Sequence, residues 1–159
     1  MNVKIACVGK LKDRFYIDAA DEYGKRLTRF VALETCEVRD ERIPENASAA
    51  ETRLAVEREG ERLLARIAEN EYVVALCIGG KRYTSESFAA HIQALSDAGR
   101  AHVTFVVGGS CGLSERVLSR ASERLSLSDM TMPHRLCRVF LLEQIYRACK
   151  INAGETYHK

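Results

Sequence analysis

The sequence contains no tryptophan, only two prolines and no closely spaced pair of cysteines. None of its six cysteines forms a C-x-x-C pair, so neither a zinc site nor a dithiol redox motif is expected. Most of these cysteines sit in apolar stretches, as is typical of small buried side chains in a reducing cytosol. Cys111 lies instead in a glycine-rich segment. A nucleophilic role for it stays open, although no base accompanies it in the sequence.

The chain also lacks any apolar run of the roughly 20 residues that a membrane span needs. Residues 1–9 lack the long apolar stretch of a signal peptide. We therefore expect a cytoplasmic protein with no membrane partner. The length of 159 residues, with 47% hydrophobic and 29% charged residues, predicts a single globular domain over residues 1–159.

Neither sign of charge dominates the chain, which carries a formal net charge of +2. The positive charge collects near the C-terminus, where five basic residues face only two acidic ones from Pro133 onward. A solvated basic helix face accounts for this cluster, and an anionic partner accounts for it equally well.

Strand-like and helix-like segments alternate along the chain, which predicts an α/β fold with a mainly parallel sheet flanked by helices. The predicted strands are residues 2–8, 33–38, 72–78, 103–107 and 124–128. The predicted helices are residues 13–30, 48–68, 84–98, 114–122 and 133–152. Asp13 and Ser114 are predicted N-caps, and Thr84 or Ser85 is predicted to cap the third helix. Pro133 fits the start of the last helix, where its missing N–H costs little.

A glycine-rich turn, Gly108–Leu113, directly follows a predicted buried strand. Ligands of α/β sheets bind beyond the carboxyl ends of the strands, so this turn is a candidate site. It matches neither the phosphate-binding P-loop nor the dinucleotide fingerprint G-x-G-x-x-G. We expect its backbone, unshielded by side chains, to approach a ligand closely. A simple tight turn from strand to helix is the alternative.

The segment Leu127–Met132, followed by Pro133 and His134, alternates small polar with apolar residues. Such a segment suits a flat heterocycle, because its backbone can hydrogen-bond the ring edge while Leu127, Met130 and Met132 pack on the ring faces. A loop that merely caps the core is the alternative.

Several motifs together resemble one family. They are Val106–Leu113, Leu125–His134, Arg138–Ala148 and Tyr157–Lys159, together with Val8–Lys12 and Glu22–Leu27 near the start. This combination is similar to the RlmH family of bacterial ribosomal large-subunit methyltransferases, which belongs to the SPOUT superfamily. The resemblance covers essentially the whole chain. Cys111 and Asp129 differ from the residues expected at their positions.

The resemblance implies a deep trefoil knot at the C-terminus, in contrast to the general rule that chains do not thread loops. It also implies S-adenosylmethionine as cofactor, no metal, and methylation of N3 of pseudouridine 1915 in 23S rRNA on the assembled ribosome. A homodimer is implied as well. For that dimer we expect one side of an apolar stripe on the last helix to pack on its own sheet and the excess to bury against the second subunit; the stripe includes Leu136, Val139, Phe140 and Tyr146.

The resemblance further implies cofactor contacts along three stretches of the chain. The residues concerned are Leu76, Gly108, Leu127, Ser128, Asp129, Met130, Thr131 and Met132.

The N3–H of pseudouridine must lose its proton before or during methyl transfer. The candidate catalytic residues are His134, Arg138, Tyr157 and His158. Because histidine titrates nearest neutral pH, His158 or His134 is the favoured proton acceptor. Arg147 and Lys159 are the expected RNA contacts. The tail that carries Tyr157 and His158 is expected to fold over a pocket in its own subunit or in its partner.

Two other classes of protein stay open on the sequence. One is a non-enzymatic ribosome- or RNA-binding factor, which predicts no affinity for S-adenosylmethionine. The other is an α/β enzyme that uses a phosphate-bearing cofactor at the Gly108 turn.

Overall fold

The computed structural model covers residues 1–159 and contains five strands and five helices. The strands are β1 (Asn2–Val8), β2 (Ala32–Val38), β3 (Tyr72–Lys81), β4 (His102–Val107) and β5 (Glu123–Leu125). The helices are α1 (Arg14–Leu27), α2 (Ala49–Leu64), α3 (Ser85–Asp97), α4 (Glu115–Arg120) and α5 (His134–Asn152). Every predicted element is present, with ends that differ by up to four residues.

All five strands form one parallel sheet in the order β2-β1-β4-β3-β5. The central pair is in register from Asn2 opposite His102 to Cys7 opposite Val107. Because every strand runs the same way, all five carboxyl ends meet at one edge of the sheet. The expectation of a mainly parallel α/β sheet is therefore confirmed.

The sheet is buried on both faces, as a parallel sheet requires. Helices α1, α3 and α5 cover one face and α2 and α4 cover the other. Alternate residues of β1 serve the two cores, since Ile5 and Cys7 belong to the larger and Ala6 and Val8 to the smaller. By length and apolarity, no helix in the structure meets the requirements for crossing a membrane.

Local side-chain bonds explain where most of the helices begin. Ser48 and Thr84 each form a complete capping box, and Ser114 accepts a hydrogen bond from the Val117 N–H. Asp13 occupies the N-cap position of α1 as expected, but its side chain makes no capping bond. The Asp13 carboxylate instead accepts a hydrogen bond of 2.9 Å from Arg135 on α5, a partner 122 residues away that no local pattern shows.

Strand β3 is longer than predicted, and its last residues wrap around β5. Leu125 pairs with both Leu76 and Lys81, and the Ser126 N–H donates to the Lys81 carbonyl at 2.9 Å. A Cβ atom on Gly80 would lie 2.4 Å from the carbonyl carbon of Leu125. Residues 76–81 at the end of β3 are thus in direct backbone contact with the segment that leads into α5. This crossing favours the expected knot, which stays a prediction.

The crossing gives a test of stability. Gly80→Ala should lower the free energy of unfolding by at least about 3 kcal/mol, because its Cβ atom would collide with backbone that cannot move aside. Urea denaturation followed by circular dichroism measures the change. Gly79→Ala is the matched control, since nothing lies within 4 Å of a Cβ at that position. Equal stability of the two variants would show that the crossing is looser than the structure indicates.

Candidate functional site

The largest cleft of the molecule opens at the carboxyl edge of the sheet, beyond the ends of β3, β4 and β5. It encloses about 650 Å³, a volume within the usual range for small-molecule sites. Its walls are formed by the end of β3, the glycine-rich turn after β4, the segment after β5 and the first turn of α5. The lining residues are Leu76, Cys77, Ile78, Val107–Ser110, Gly112, Leu113, Leu125–Ser128, Met130–His134 and Cys137.

The glycine-rich turn folds back on itself. Gly109 and Gly112 form an isolated bridge, and Gly112 adopts a φ of +83°, which favours glycine. A Cβ on Gly108 would lie 2.5 Å from the carbonyl oxygen of Gly112. The fold of the turn itself therefore requires glycine at position 108. From the sequence alone, we expected the close approach of a ligand to be the reason for this glycine.

The segment Leu127–Met132 has an unusually open backbone. No backbone–backbone hydrogen bond involves these six residues. Only two side-chain bonds reach their backbone groups: the Met130 N–H donates to Ser128 Oγ, and Ser126 Oγ donates to the Ser128 carbonyl. The remaining N–H and C=O groups are available to a ligand. Backbone groups in such a position must find a partner when a ligand displaces water from them.

The mouth of the cleft is apolar. Ile78 and Met130 line it with side chains that are 77% and 81% exposed. Large exposed apolar side chains at a cleft are typical of a ligand-binding site. Together with the open backbone of Leu127–Met132, they make a site for a flat ligand with a polar edge.

Asp129 is the one expected cofactor residue that does not line the cleft. Its exposed carboxylate pairs with the Arg82 guanidinium beyond the end of β3. The other seven expected cofactor residues all line the cleft.

His134 begins α5 and lines the cleft, and it also lines a small adjoining cavity with Gly9 and Arg138. Burial lowers the pKa of His134, and the positive charge of Arg135 lowers it further, whereas the Asp40 carboxylate acts the other way. The imidazole is therefore neutral at neutral pH and able to accept a proton.

Arg138 is buried, with only 7% of its surface exposed, and it is absent from the lining of the main cleft. Its guanidinium pairs with Glu37 of β2 at 2.7 Å. In the single chain this arginine links α5 to the edge strand of the sheet.

The C-terminal tail lies against α5 and away from the cleft of its own chain. The Tyr157 hydroxyl donates to Glu143 at 2.8 Å, and the Arg147 guanidinium lies 4.7 Å from the centre of the Tyr157 ring. His158 lies 2.8 Å from Glu86 at the start of α3 and 3.3 Å from Arg147. Neither Tyr157 nor His158 lines the cleft, so one chain does not bring all four expected catalytic residues together.

Burial raises the pKa of Tyr157, and its hydrogen bond to Glu143 raises it further. The phenol is therefore protonated at neutral pH and serves as a hydrogen-bond donor. Arg147, an expected RNA contact, is already paired with Glu143 at 2.7 Å. Lys159, the other expected contact, is exposed at the chain end and makes no ion pair in the structure.

The fold and the cleft are typical of α/β proteins that bind a small molecule at the carboxyl edge of a parallel sheet. Residues 1–158 match the family described as "Predicted SPOUT methyltransferase", and the chain belongs to the SPOUT methyltransferase family.

Curated relatives match the chain over its full length. A protein of Bifidobacterium animalis subsp. lactis (strain AD011) is 54% identical, one of Clostridium novyi (strain NT) 51% and one of Lactobacillus helveticus (strain DPC 4571) 50%. Each match covers 100% of both chains, and each relative is named "Ribosomal RNA large subunit methyltransferase H".

Sequence reasoning missed part of the lining. Cys137 follows His134 by one helical turn, so its position could have been read from helical spacing. Ser126, a buried polar residue, and Ile78 belong to the crossing of β3 and β5. No local sequence pattern predicts that crossing.

The ion pair of Arg138 predicts a measurable structural role. Glu37→Gln should lower the free energy of unfolding by about 1–2 kcal/mol, because it leaves a buried guanidinium without its anionic partner. The value lies below that of a fully buried pair since the Glu37 side chain is 27% exposed. Urea denaturation measures it, with Glu34→Gln on the same strand as control. An unchanged unfolding free energy would show that the ion pair adds no stability, and Arg138 would then be available to contact the substrate.

Proposed function

We propose that this chain works as a single SPOUT methyltransferase domain over residues 1–159. In this proposal it transfers a methyl group from S-adenosylmethionine to N3 of pseudouridine 1915 in 23S rRNA, on the assembled ribosome in the cytoplasm. The observation that carries the proposal is the unpaired backbone of Leu127–Met132 facing a cleft in a chain of this family.

The lining of the cleft suits S-adenosylmethionine. Its adenine is a flat ring with polar edges, and the free N–H and C=O groups of Leu127–Met132 can pair with those edges while Leu127 and Met132 contact the ring faces. Leu76 and the turn at Gly108 form the opposite wall. When bound, the sulfonium supplies a methyl group that is already activated for attack.

The proposed RNA substrate rests on the full-length relatives, whose printed name is that of a ribosomal RNA methyltransferase. A net charge of only +2 supports a modest electrostatic attraction to RNA. Weak binding to free RNA is consistent with recognition of a larger ribosomal surface.

The target nitrogen must lose a proton during the transfer. His134 is neutral, lines the cleft and begins α5, which makes it one candidate acceptor of that proton. His158 lies outside the cleft of its own chain, and its use as the acceptor requires a second subunit. A cation near the target base would stabilise the anion that deprotonation leaves.

The two faces of α5 support a homodimer. One face packs within the chain and buries Leu141, Leu142, Ile145 and Ala148. Part of the expected apolar stripe lies off that face, where Leu136 is 43% exposed and Val139 and Phe140 are partly buried, whereas Tyr146 packs against Tyr23 and Phe30 of its own chain. An apolar stripe left uncovered on a packed helix is a natural contact for a second copy across a two-fold axis.

The tail shares that free face of α5. Glu143 and Arg147 follow Leu136 and Phe140 at helical spacing, and they hold Tyr157 by the hydrogen bond and ring contact described above. A second subunit packed on the stripe would therefore lie beside Tyr157 and His158. We propose that the tail serves the partner's cleft.

The rival function is a non-enzymatic RNA-binding factor. It predicts that the cleft has no affinity for S-adenosylmethionine, and the enzyme of a phosphate-bearing cofactor predicts the same. Calorimetric titration of the protein with S-adenosylmethionine, or with its demethylated product, distinguishes the proposal from both.

The cofactor site has a specific test in the glycine-rich turn. Gly108→Ala should weaken the affinity for S-adenosylmethionine by at least about 10-fold, because its Cβ displaces the Gly112 carbonyl and with it one wall of the cleft. Calorimetry measures the affinity. Gly24→Ala on α1 is the control, since its Cβ meets only one atom, at 4.0 Å. Undiminished affinity in a folded Gly108→Ala protein would remove the turn from the site.

The tail has a test of its own. Deleting residues 157–159 should leave the affinity for S-adenosylmethionine within a few-fold but reduce methylation of ribosomes by at least about 100-fold, as expected for loss of a positioned acid–base group. Transfer of a labelled methyl group measures the rate, and sedimentation shows whether the truncated protein is still a dimer. Full turnover by the truncated protein would show that the tail does not accept the proton and would leave His134 as the candidate acceptor.

Mixed dimers then separate the two positions of the tail. A tail-deleted subunit paired with a Gly108→Ala subunit combines one intact cleft and one intact tail on different chains. Restored activity in the mixture supports action on the partner's cleft, and a mixture as inactive as its parents would place the tail's action within its own chain.

A further inference from the structure

A buried acid lies behind the glycine-rich turn. Glu59 of α2 is only 4% exposed, and it faces Gly109 so closely that a Cβ on Gly109 would lie 3.0 Å from Glu59 Oε2. The other oxygen, Oε1, accepts a hydrogen bond of 2.9 Å from the Glu41 N–H in the loop between β2 and α2. Oε2 is inaccessible to solvent and has no hydrogen-bond partner.

The next residue of α2 supports the far end of the same turn. A Cβ on Gly60 would lie 2.1 Å from Ser114 Oγ, so the helix backbone lies directly against Ser114, the N-cap of α4. Two consecutive residues of α2 therefore contact both ends of the Gly109–Ser114 stretch. Apart from the Gly109–Gly112 bridge, this stretch has no regular structure that would hold its shape.

We propose that Glu59 is a positioning residue for the cofactor cleft, which sets where the Gly108–Gly112 turn lies relative to the loop between β2 and α2. The proposal rests on the proposed function, because that function makes the turn a wall of the S-adenosylmethionine site. Glu59 itself does not line the cleft, so it acts through the turn.

The electrostatic surroundings favour the neutral acid at this position. Burial raises the pKa of Glu59, and the carboxylates of Asp40 and Glu41 raise it further. The hydrogen bond from the Glu41 N–H and the positive charge of Arg62 lower this pKa and offset part of the rise. Arg62 is itself paired with Glu41 and forms no ion pair with Glu59. A buried carboxylate without an ion pair is costly, so Glu59 ionises at a higher pH than an exposed glutamate does.

The packing of the glycine-rich turn against Glu59 should depend on pH. Since the pKa of Glu59 is raised in the folded protein, ionisation above that pKa places an unpaired charge behind the turn and weakens its packing. The turn should therefore loosen as pH rises through the pKa of Glu59. Glu59→Gln, which keeps the shape and the acceptor for the Glu41 N–H but cannot ionise, should remove that dependence.

The experiment measures hydrogen–deuterium exchange of residues 108–114 together with calorimetric titration with S-adenosylmethionine. In Glu59→Ala the turn should exchange at least about 10-fold faster and the affinity should fall by at least about 10-fold. Glu59→Gln should stay within about 3-fold of the unchanged protein in both. Its exchange, relative to the unchanged protein at each pH, should become slower as pH rises. Glu57→Ala, exposed on the same helix, is the control.

Unchanged exchange of the turn in Glu59→Ala would overturn the proposal, and so would equal losses in the Gln and Ala variants. If Glu59→Ala fails to fold, Glu59→Asp replaces it, since the shorter side chain withdraws the carboxyl from the Glu41 N–H; normal exchange in that variant would equally refute the role. The unchanged protein's failure to bind S-adenosylmethionine would defeat the proposed function alone. The exchange measurements would still decide the role of Glu59.

Discussion

The site depends on one close backbone contact, the crossing of residues 79–81 over Leu125 and Ser126. Because β5 is held between Leu76 on one side and Lys81 on the other, it ends after three residues. The chain that follows has no neighbouring strand to pair with. Leu127–Met132 therefore reach α5 with most of their backbone groups unpaired, and all of these residues except Asp129 line the cleft. In a longer β5, these backbone groups would instead form hydrogen bonds within the sheet.

The cleft combines two physical features. Its floor is the carboxyl edge of a fully buried parallel sheet, which is rigid, and its walls are loops that lack regular structure. Support for those walls comes from behind, from Glu59 and Gly60 of α2 and from the folded-back turn at Gly112. Recognition by backbone groups requires such support, because a main-chain donor can be aimed only by placing the chain itself.

The groups suited to proton transfer lie along α5 and the tail that follows it. His134 stands at the cleft, whereas Tyr157 and His158 rest on the outward face of the helix beside Glu143 and Arg147. In this arrangement one chain carries the walls of the cleft and displays two of the proposed catalytic residues on its surface. Membership in the SPOUT methyltransferase family, established over residues 1–158, is compatible with a site completed between two chains.

The sequence by itself determined the order and type of every helix and strand, the caps at Thr84 and Ser114, and the stretches that line the cleft. These features depend on hydrophobic periodicity and on hydrogen bonds between near neighbours, which local sequence records. Only the tertiary structure decided the crossing at Gly80 and the ion pair of Arg138 with Glu37. It also decided that the Asp129 side chain pairs with Arg82 outside the cleft and that the tail lies against α5. Each depends on a contact between residues distant along the chain. The chain's path through space sets such contacts, and periodicity and spacing do not encode that path.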